Sequence, residues 1–508
     1  MKNFLFIPLD ERPCNYKFPS LIFNDENFKI KTVPFEYMGL MKKPGNIEKI
    51  NDFLLNEYKD ADGAIISIDT LLYGGIVPSR IHFFSFDEVK QRLDLLRKIK
   101  KDKPNFKIYA YNLVMRCPRY NDDEEEPNYY LYHGLDIFNR KFIQHRMELN
   151  LATVEEKQEL EKISIPQEYI NDYESRREVN CNINIETVKL VNDGIIDFLV
   201  IPQDDSAPFG YTALDQQKIK NVVRKYNLQN KVLTYPGADE VANTLFARAY
   251  NEMHNRKPLV YIQYPSQLCK NIIPCAEDRK LDISARYQVI AAGGIVASSP
   301  SEADLIFAIN APGKDMISSQ FRYWSGQGYT TMRNLEEFVD SIEYYIDVLH
   351  KPVTIGDVGY CNGGDLRLIK LIEQKNLYYK LSGYASWNIP CNTLGTALPM
   401  GIRCLYPYNK QNHLDFLTHR FIEDVGYCTL VRKIVREEYC EKMGLTIYKV
   451  DGQRGKFSKL VEKLLYEQVD KFMPSLKNKY LISDVYMPWN RTYDVGLTVK
   501  YIGELENE

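Results

Sequence analysis

Short apolar runs bounded by polar turns alternate with longer stretches of helical periodicity through most of the chain. Residues 3–9, 31–35, 63–68, 107–114, 197–201, 231–235 and 259–264 read as strands. Between them lie amphipathic stretches such as 86–101, where Val89, Leu93, Leu96 and Ile99 recur at helical spacing. Strands alternating with helices imply a parallel sheet joined by right-handed crossovers. The expected fold is therefore α/β, either a (β/α)8-like barrel or an open doubly wound sheet. Closing a barrel needs an eighth strand, for which 271–274 and 294–298 are the candidates.

The pattern also suggests an order of domains. Residues 1–285 are expected to form the barrel-like unit, interrupted by a helical insertion at 120–196. The run Asn121-Asp-Asp-Glu-Glu-Glu126 reads as acidic and solvated. The helical stretches after it, 129–150, 154–163 and 167–192, read as a cap over the site and carry Arg176 and Arg177. A second, smaller α/β unit is expected over 286–410, with strands at 304–310, 352–357 and 380–386. Residues 411–508 should be helical over 412–443 and 455–473, then strand-like over 480–501 around Pro488-Trp-Asn-Arg491.

Composition narrows the function classes. A chain of 508 residues with 44% hydrophobic residues and a net charge of −3 suits an ordinary globular protein of two or three domains. It offers no basic face for nucleic acid, and no apolar run approaches the ~20 residues of a membrane span. The opening Met1-Lys-Asn-Phe-Leu-Phe-Ile-Pro-Leu-Asp10 has too short an apolar core for a signal peptide. Ten cysteines without a Cys-x-x-Cys pair indicate neither a zinc site nor a disulfide framework, and a cytoplasmic location with reduced thiols is expected. Seven histidines lie away from the motif-like segments, against a Ser–His–Asp triad or a His-rich metal centre. No Gly-x-Gly-x-x-Gly follows the first strand, and neither Gly74-Gly75 nor Gly363-Gly364 leads into Lys-Ser/Thr. No cofactor or metal is expected, and self-association is left open.

What remains is a set of polar loops, each following a strand. The fifth apolar run ends in Gln203-Asp204-Asp205, two adjacent carboxylates followed by a Pro/Gly turn. The other loops bring Asp10 and Arg12; Asp69, Tyr73 and Arg80; Asn112 and Arg116; and Asp239 and Glu240. From the second unit come Asn362 and Asp365, then Trp387, Asn388 and Asn392. In α/β proteins the carboxyl ends of strands form the ligand crevice, and these loops are expected to share one. Asp, Asn, Arg, Tyr and Trp suit a small polyhydroxylated ligand, a carbohydrate. The plainer alternatives are a turn aspartate and N-cap at Asp204-Asp205, and a cap with a first-turn acid at Asp239-Glu240.

Glycoside hydrolysis uses two carboxyl groups. Neighbouring side chains at a strand end fit substrate-assisted retention, in which the sugar's own 2-acetamido group is the nucleophile. Asp204 would orient the acetamide, and Asp205 would protonate the leaving oxygen. The alternatives are a metal-dependent hydrolase built on Asp10, Asp204, Asp205 and Asp239, and a carbohydrate-binding protein without turnover.

The motifs Pro8-Leu-Asp-Glu-Arg-Pro13, Gln203-Asp-Asp205, Pro236-Gly-Ala-Asp-Glu240, Asn362-Gly-Gly-Asp365 and Asn392-Thr-Leu-Gly-Thr-Ala397 span nearly the whole chain. Together with the late Pro-Trp-Asn-Arg segment, this combination resembles a bacterial family known as a domain of unknown function. Ser386 and Ile389 depart from the Gly and Thr more usual in that family. The resemblance implies a relation to β-N-acetylgalactosaminidases, and with it an exo-acting retaining β-N-acetylhexosaminidase that favours β-linked N-acetylgalactosamine.

Overall fold

The computed structural model describes residues 1–504, which divide into two compact units. One comprises Met1–Glu11, Glu26–Leu245 and Ala276–Asp278; the other comprises Arg12–Asp25, Phe246–Cys275 and the chain from Arg279 onward.

The first unit is built on six strands: β1 (Lys2–Ile7), β2 (Phe28–Thr32), β3 (Gly63–Ser67), β4 (Lys107–Tyr111), β5 (Phe198–Gln203) and β6 (Val232–Pro236). They form an open sheet in the order β2-β1-β3-β4-β5-β6, with every pairing parallel. This is a doubly wound α/β arrangement, and its order reverses between β1 and β3, where such sheets open their ligand crevice. Strands β3, β5 and β6 are buried along their whole length, as expected of parallel strands covered on both faces. The second strand lies earlier than its apolar run suggested. Phe28-Lys-Ile-Lys-Thr32 buries Phe28, stacked on Phe4 at 5.1 Å, and leaves Lys29 and Lys31 exposed. Lysines on an edge strand discourage pairing with another chain, and here they mask the strand's apolar character.

The barrel alternative does not hold, because the seventh strand is in the other sheet. There β7 (Leu259–Gln263), β8 (Ile295–Val296), β9 (Leu305–Asn310), β10 (Val353–Asp357) and β11 (Gly383–Ala385) pair in parallel in the order β11-β10-β9-β7-β8. The candidate eighth strand at 294–298 thus forms β8 of the second sheet.

The helical insertion consists of the Tyr130–Glu148, Val154–Lys162 and Gln167–Asn192 helices. The last of these is less a cap than the crossover that parallel β4 and β5 require. It buries Tyr173, Arg176, Arg177, Asn180 and Asn184. The 86–101 stretch breaks at Leu93 into two helices, Phe86–Arg92 and Asp94–Asp102. No helix among the described residues is long and apolar enough to cross a membrane.

In the second unit the Lys410–Arg420 helix runs on into an 11-residue π-helix, Phe421–Val431. Strands β12 (Tyr480–Tyr486) and β13 (Gly496–Tyr501) close an antiparallel hairpin. The turn between them holds Trp489 at φ +56°, clasped between the Arg12 and Arg491 guanidiniums, each 4.5 Å from the ring.

The Pro390–Arg403 helix lies unusually close to this sheet, since Thr354 Oγ1 on β10 donates to Ala397 O at 2.6 Å. Glycine makes the approach possible. A Cβ at Gly383 would meet the Thr354 hydroxyl and come within 2.8 Å of Met400 Cβ, and one at Gly401 would come within 2.8 Å of Thr354 Cγ2. Gly383→Ala is expected to destabilise the protein by about 1–3 kcal/mol through overpacking, read as a lower denaturant midpoint at unchanged slope. An unshifted midpoint would show that the helix gives way at no cost.

Candidate functional site

Strand β5 delivers two carboxylates into a nest of guanidinium groups. Consecutive strand residues normally point to opposite faces, but Asp205 sits in the left-handed region at φ +42°, a conformation that short polar side chains tolerate best. The turn lets one guanidinium reach both acids: Arg116 Nη1 is 3.1 Å from Asp205 Oδ2 and 3.8 Å from Asp204 Oδ2. Arg80, on the short Pro78–Ile81 helix, donates to Asp204 Oδ2 at 2.7 Å.

Both arginines also hold a second acid pair from the loop after β4. Glu125 Oε2 lies 3.0 Å from Arg80 and 3.2 Å from Arg116, while Glu126 Oε1 accepts from Arg116 Nε at 2.6 Å. The run that reads as solvated in the sequence therefore ends in a fully buried Glu126. Glu125 and Glu126 are site residues that sequence reasoning missed. The only signal for them was two arginines whose guanidiniums carry more donors than Asp204 and Asp205 take up.

Four carboxyls around two guanidiniums leave an excess of acid, and burial sets their ionisation. Burial, then the charge of Asp205, pushes Asp204 up to about 6. Burial likewise raises Asp205 and Glu126, against the pull of the arginines.

Supporting contacts fix this cluster. Tyr173 Oη and Arg177 Nη1 donate to Arg116 O at 2.9 and 3.0 Å, and Arg177 is held by Asp215 at 2.7 Å. Asp69 accepts from Leu113 N at 2.9 Å and Asn112 Nδ2 at 3.3 Å; Asn112 Oδ1 in turn accepts from Asn184 at 2.8 Å. Burial raises Asp69 to about 6. At the end of β4 the Tyr111 phenol is raised by burial and then by the nearby charges of Asp10, Asp69 and Asp239. Glu240 is buried and turns back to accept from Ala238 N at 2.9 Å, the role of a local cap. Tyr73 stacks at 4.4 Å on His82, which burial keeps neutral with a pKa of about 4. Gly74 and Gly75 form no phosphate loop: at φ +85°, Gly74 closes a turn whose carbonyl accepts from Gly45 N at 2.9 Å.

The remaining expected site residues belong to the second unit. There Asp357, at the end of β10, accepts from Asn310 Nδ2 at 2.7 Å, Tyr384 Oη at 3.0 Å and Asp365 N at 2.8 Å. Asp365 caps the Leu366–Gln374 helix through Arg367 N at 3.0 Å and pairs with Arg333 at 2.5 Å. Asn362 and Asn388, both at positive φ, share the Tyr493 hydroxyl at 2.6 and 2.9 Å. Asn392 is buried within its helix.

Trp387 is core rather than a sugar platform. It is buried, its indole N–H donates to Thr396 Oγ1 at 3.2 Å, and its ring meets Phe18 edge-on at 6.0 Å. Of the expected site residues, Arg12, Asn362, Asp365, Trp387, Asn388 and Asn392 belong to the second unit. Among the described residues no group of three or more His, Cys, Asp or Glu side chains is spaced to hold a metal ion. All ten cysteines are free thiols.

Buried acids paired with guanidiniums at the carboxyl ends of parallel strands define an α/β protein with an acidic strand-end site. The chain belongs to the family described as "Protein of unknown function (DUF4127)", which it matches over residues 4–498. Comparison with curated proteins and with solved structures gives no match.

A carboxyl whose pKa is raised on folding binds its proton more tightly in the native state, so its contribution to stability falls as pH rises from its unfolded towards its folded value. For Asp69 that window runs from 3.8 to about 6. Asp69→Asn, which keeps an acceptor for Leu113 N, should therefore gain stability relative to the parent protein across pH 4 to 7, by up to about 3 kcal/mol. Denaturant melts at several pH values test this; a pH-independent difference would place the Asp69 carboxyl at its ordinary pKa.

Proposed function

We propose that this protein is a glycoside hydrolase, an exo-acting retaining β-N-acetylhexosaminidase with β-linked N-acetylgalactosamine as the favoured substrate. The reading rests on Asp204 and Asp205: adjacent acids at a strand end, both raised by burial and both within reach of Arg116. A carboxyl serving as general acid near neutral pH needs such elevation. Retention without an enzyme nucleophile asks for one acid to hold the substrate's acetamide and another to handle the leaving group.

In this reading the acetamide oxygen attacks the anomeric carbon as the glycosidic bond breaks, and Asp205 gives its proton to the departing oxygen. Asp204, fixed by Arg80 at 2.7 Å, accepts from the acetamide N–H and stabilises the positive charge that develops on the cyclic intermediate. Water then opens the intermediate at the anomeric carbon. Asp205 takes the water's proton, and the configuration is retained. Of the two acids Asp205 is the more exposed, 23% against 13% for Asp204, as suits the one that meets the leaving group and water.

Nitrophenyl glycosides test this directly. Wild-type protein with EDTA present is expected to release nitrophenol from a β-2-acetamido sugar and not from its 2-hydroxy counterpart. Asp205→Asn should lose roughly 10²–10⁴-fold on substrates with poor leaving groups and much less on activated ones. Activity should decline as pH rises through the elevated carboxyl pKa. Equal loss on all leaving groups would remove Asp205 as the acid. Turnover abolished by EDTA would favour a metal-dependent hydrolase, and binding of the sugar without turnover a lectin-like protein.

A further inference from the structure

Beside the carboxylate–guanidinium cluster, which it touches at Glu126, the first unit holds a cavity of ≈ 510 Å³. Its lining includes Phe83, Glu126, Tyr129, Tyr169, Asp172 and Arg176. Glu126 belongs to both places: Oε1 is taken by Arg116 at 2.6 Å, while the buried Oε2 has no hydrogen-bond partner. Arg176, 5% exposed, donates Nε to His82 O and Nη2 to Asp172, yet its buried Nη1 has no acceptor. Two residues that line the cavity therefore each keep a buried polar atom without a partner. Each such group typically costs about 1–3 kcal/mol, a cost that a ligand able to serve both would relieve.

The rest of the lining says which ligand. A hydroxyl donates and accepts at once, so a ring bearing several hydroxyls matches a lining that keeps both an unsatisfied acceptor and an unsatisfied donor. Tyr129 and Tyr169 stack at 4.8 Å, with Tyr129 Oη tied to Asp172 at 2.6 Å. Phe83 stands 89% exposed, with the Arg176 guanidinium 5.3 Å from its ring. Aromatic rings such as Phe83 and the half-buried Tyr129 and Tyr169 suit the apolar faces of a sugar ring. A free cation fits poorly beside Arg176, and a free anion fits poorly beside Glu126 and Asp172.

We infer that this cavity is a second sugar subsite, which receives the ring on the leaving-group side of the bond; in naming that side, the inference rests on the glycosidase reading above. The substrate is then an oligosaccharide of at least two rings rather than an N-acetylhexosaminide of a simple alcohol.

Calorimetric titration tests this without relying on turnover. The Asp205→Asn protein is titrated with N-acetylgalactosamine and with a disaccharide carrying that sugar β-linked to galactose. The disaccharide is expected to bind at least about tenfold more tightly, and Phe83→Ala and Tyr169→Ala should each remove most of that advantage. Equal binding of the two ligands, or an advantage that survives both substitutions, overturns the subsite even if nitrophenyl glycosides are hydrolysed. A disaccharide advantage lost in these variants, with no hydrolysis of any glycoside by wild type, upholds the subsite and overturns the glycosidase reading.

Discussion

Glu126 places a carboxyl group where water does not reach, and much of the first unit is arranged around that fact. Burying an acid without partners costs several kcal/mol, so two guanidiniums are brought to it, Arg80 from a short helix after β3 and Arg116 from the loop after β4. Those arginines are themselves buried and need more acceptors than one glutamate supplies. Glu125, Asp204 and Asp205 meet that need. The long Gln167–Asn192 helix holds the Arg116 carbonyl from behind. The chemistry available to Asp204 and Asp205 follows from this network. Their raised pKa values come from sharing a dry space with other acids, and their positions come from arginines that cannot leave without stranding Glu126.

The second unit solves a similar problem with less exposure. Asp357 and Asp365 meet Arg333, Asn310 and Tyr384 in the interior, with Arg333 and Asp365 at 0% and 2% side-chain exposure. Asp424, on the π-helix, accepts from Ser386 N at 2.6 Å and is raised to about 7, first by burial. Asp365 caps a helix and Asp424 fixes the loop at Ser386.

The parallel strands were legible in the sequence because burial on both faces makes them continuous apolar runs, and most of them lie within a few residues of where the pattern put them. Which sheet each strand joins was not legible. Leu259–Gln263 looks like its six predecessors, and only long-range pairing sends it to β9. Asp204, Asp205, Arg80 and Arg116 were legible from their place after strands. Glu126 was not, since an acidic run reads as solvated unless its distant arginine partners are known. Trp387 misled for the opposite reason: flanking amides suggested a wet site, whereas Thr393 and Thr396 satisfy its polar atoms inside the core. Asp365 follows the plain local rule for an aspartate just ahead of a helix.

The second unit begins with a segment, Arg12–Asp25, that the chain reaches before almost all of the first unit. Phe18 in that segment meets Trp387, Phe416 and Arg420, residues synthesised much later. At ~5–20 residues per second, a nascent chain would carry this apolar stretch without its partners for on the order of tens of seconds. The first unit can complete itself on the ribosome while the stretch waits. In the cell, such an interval is when a chaperone that shields short apolar segments has most to offer. Neither unit can be excised as one continuous piece, so the gene cannot be shortened to either half without breaking the other's sequence.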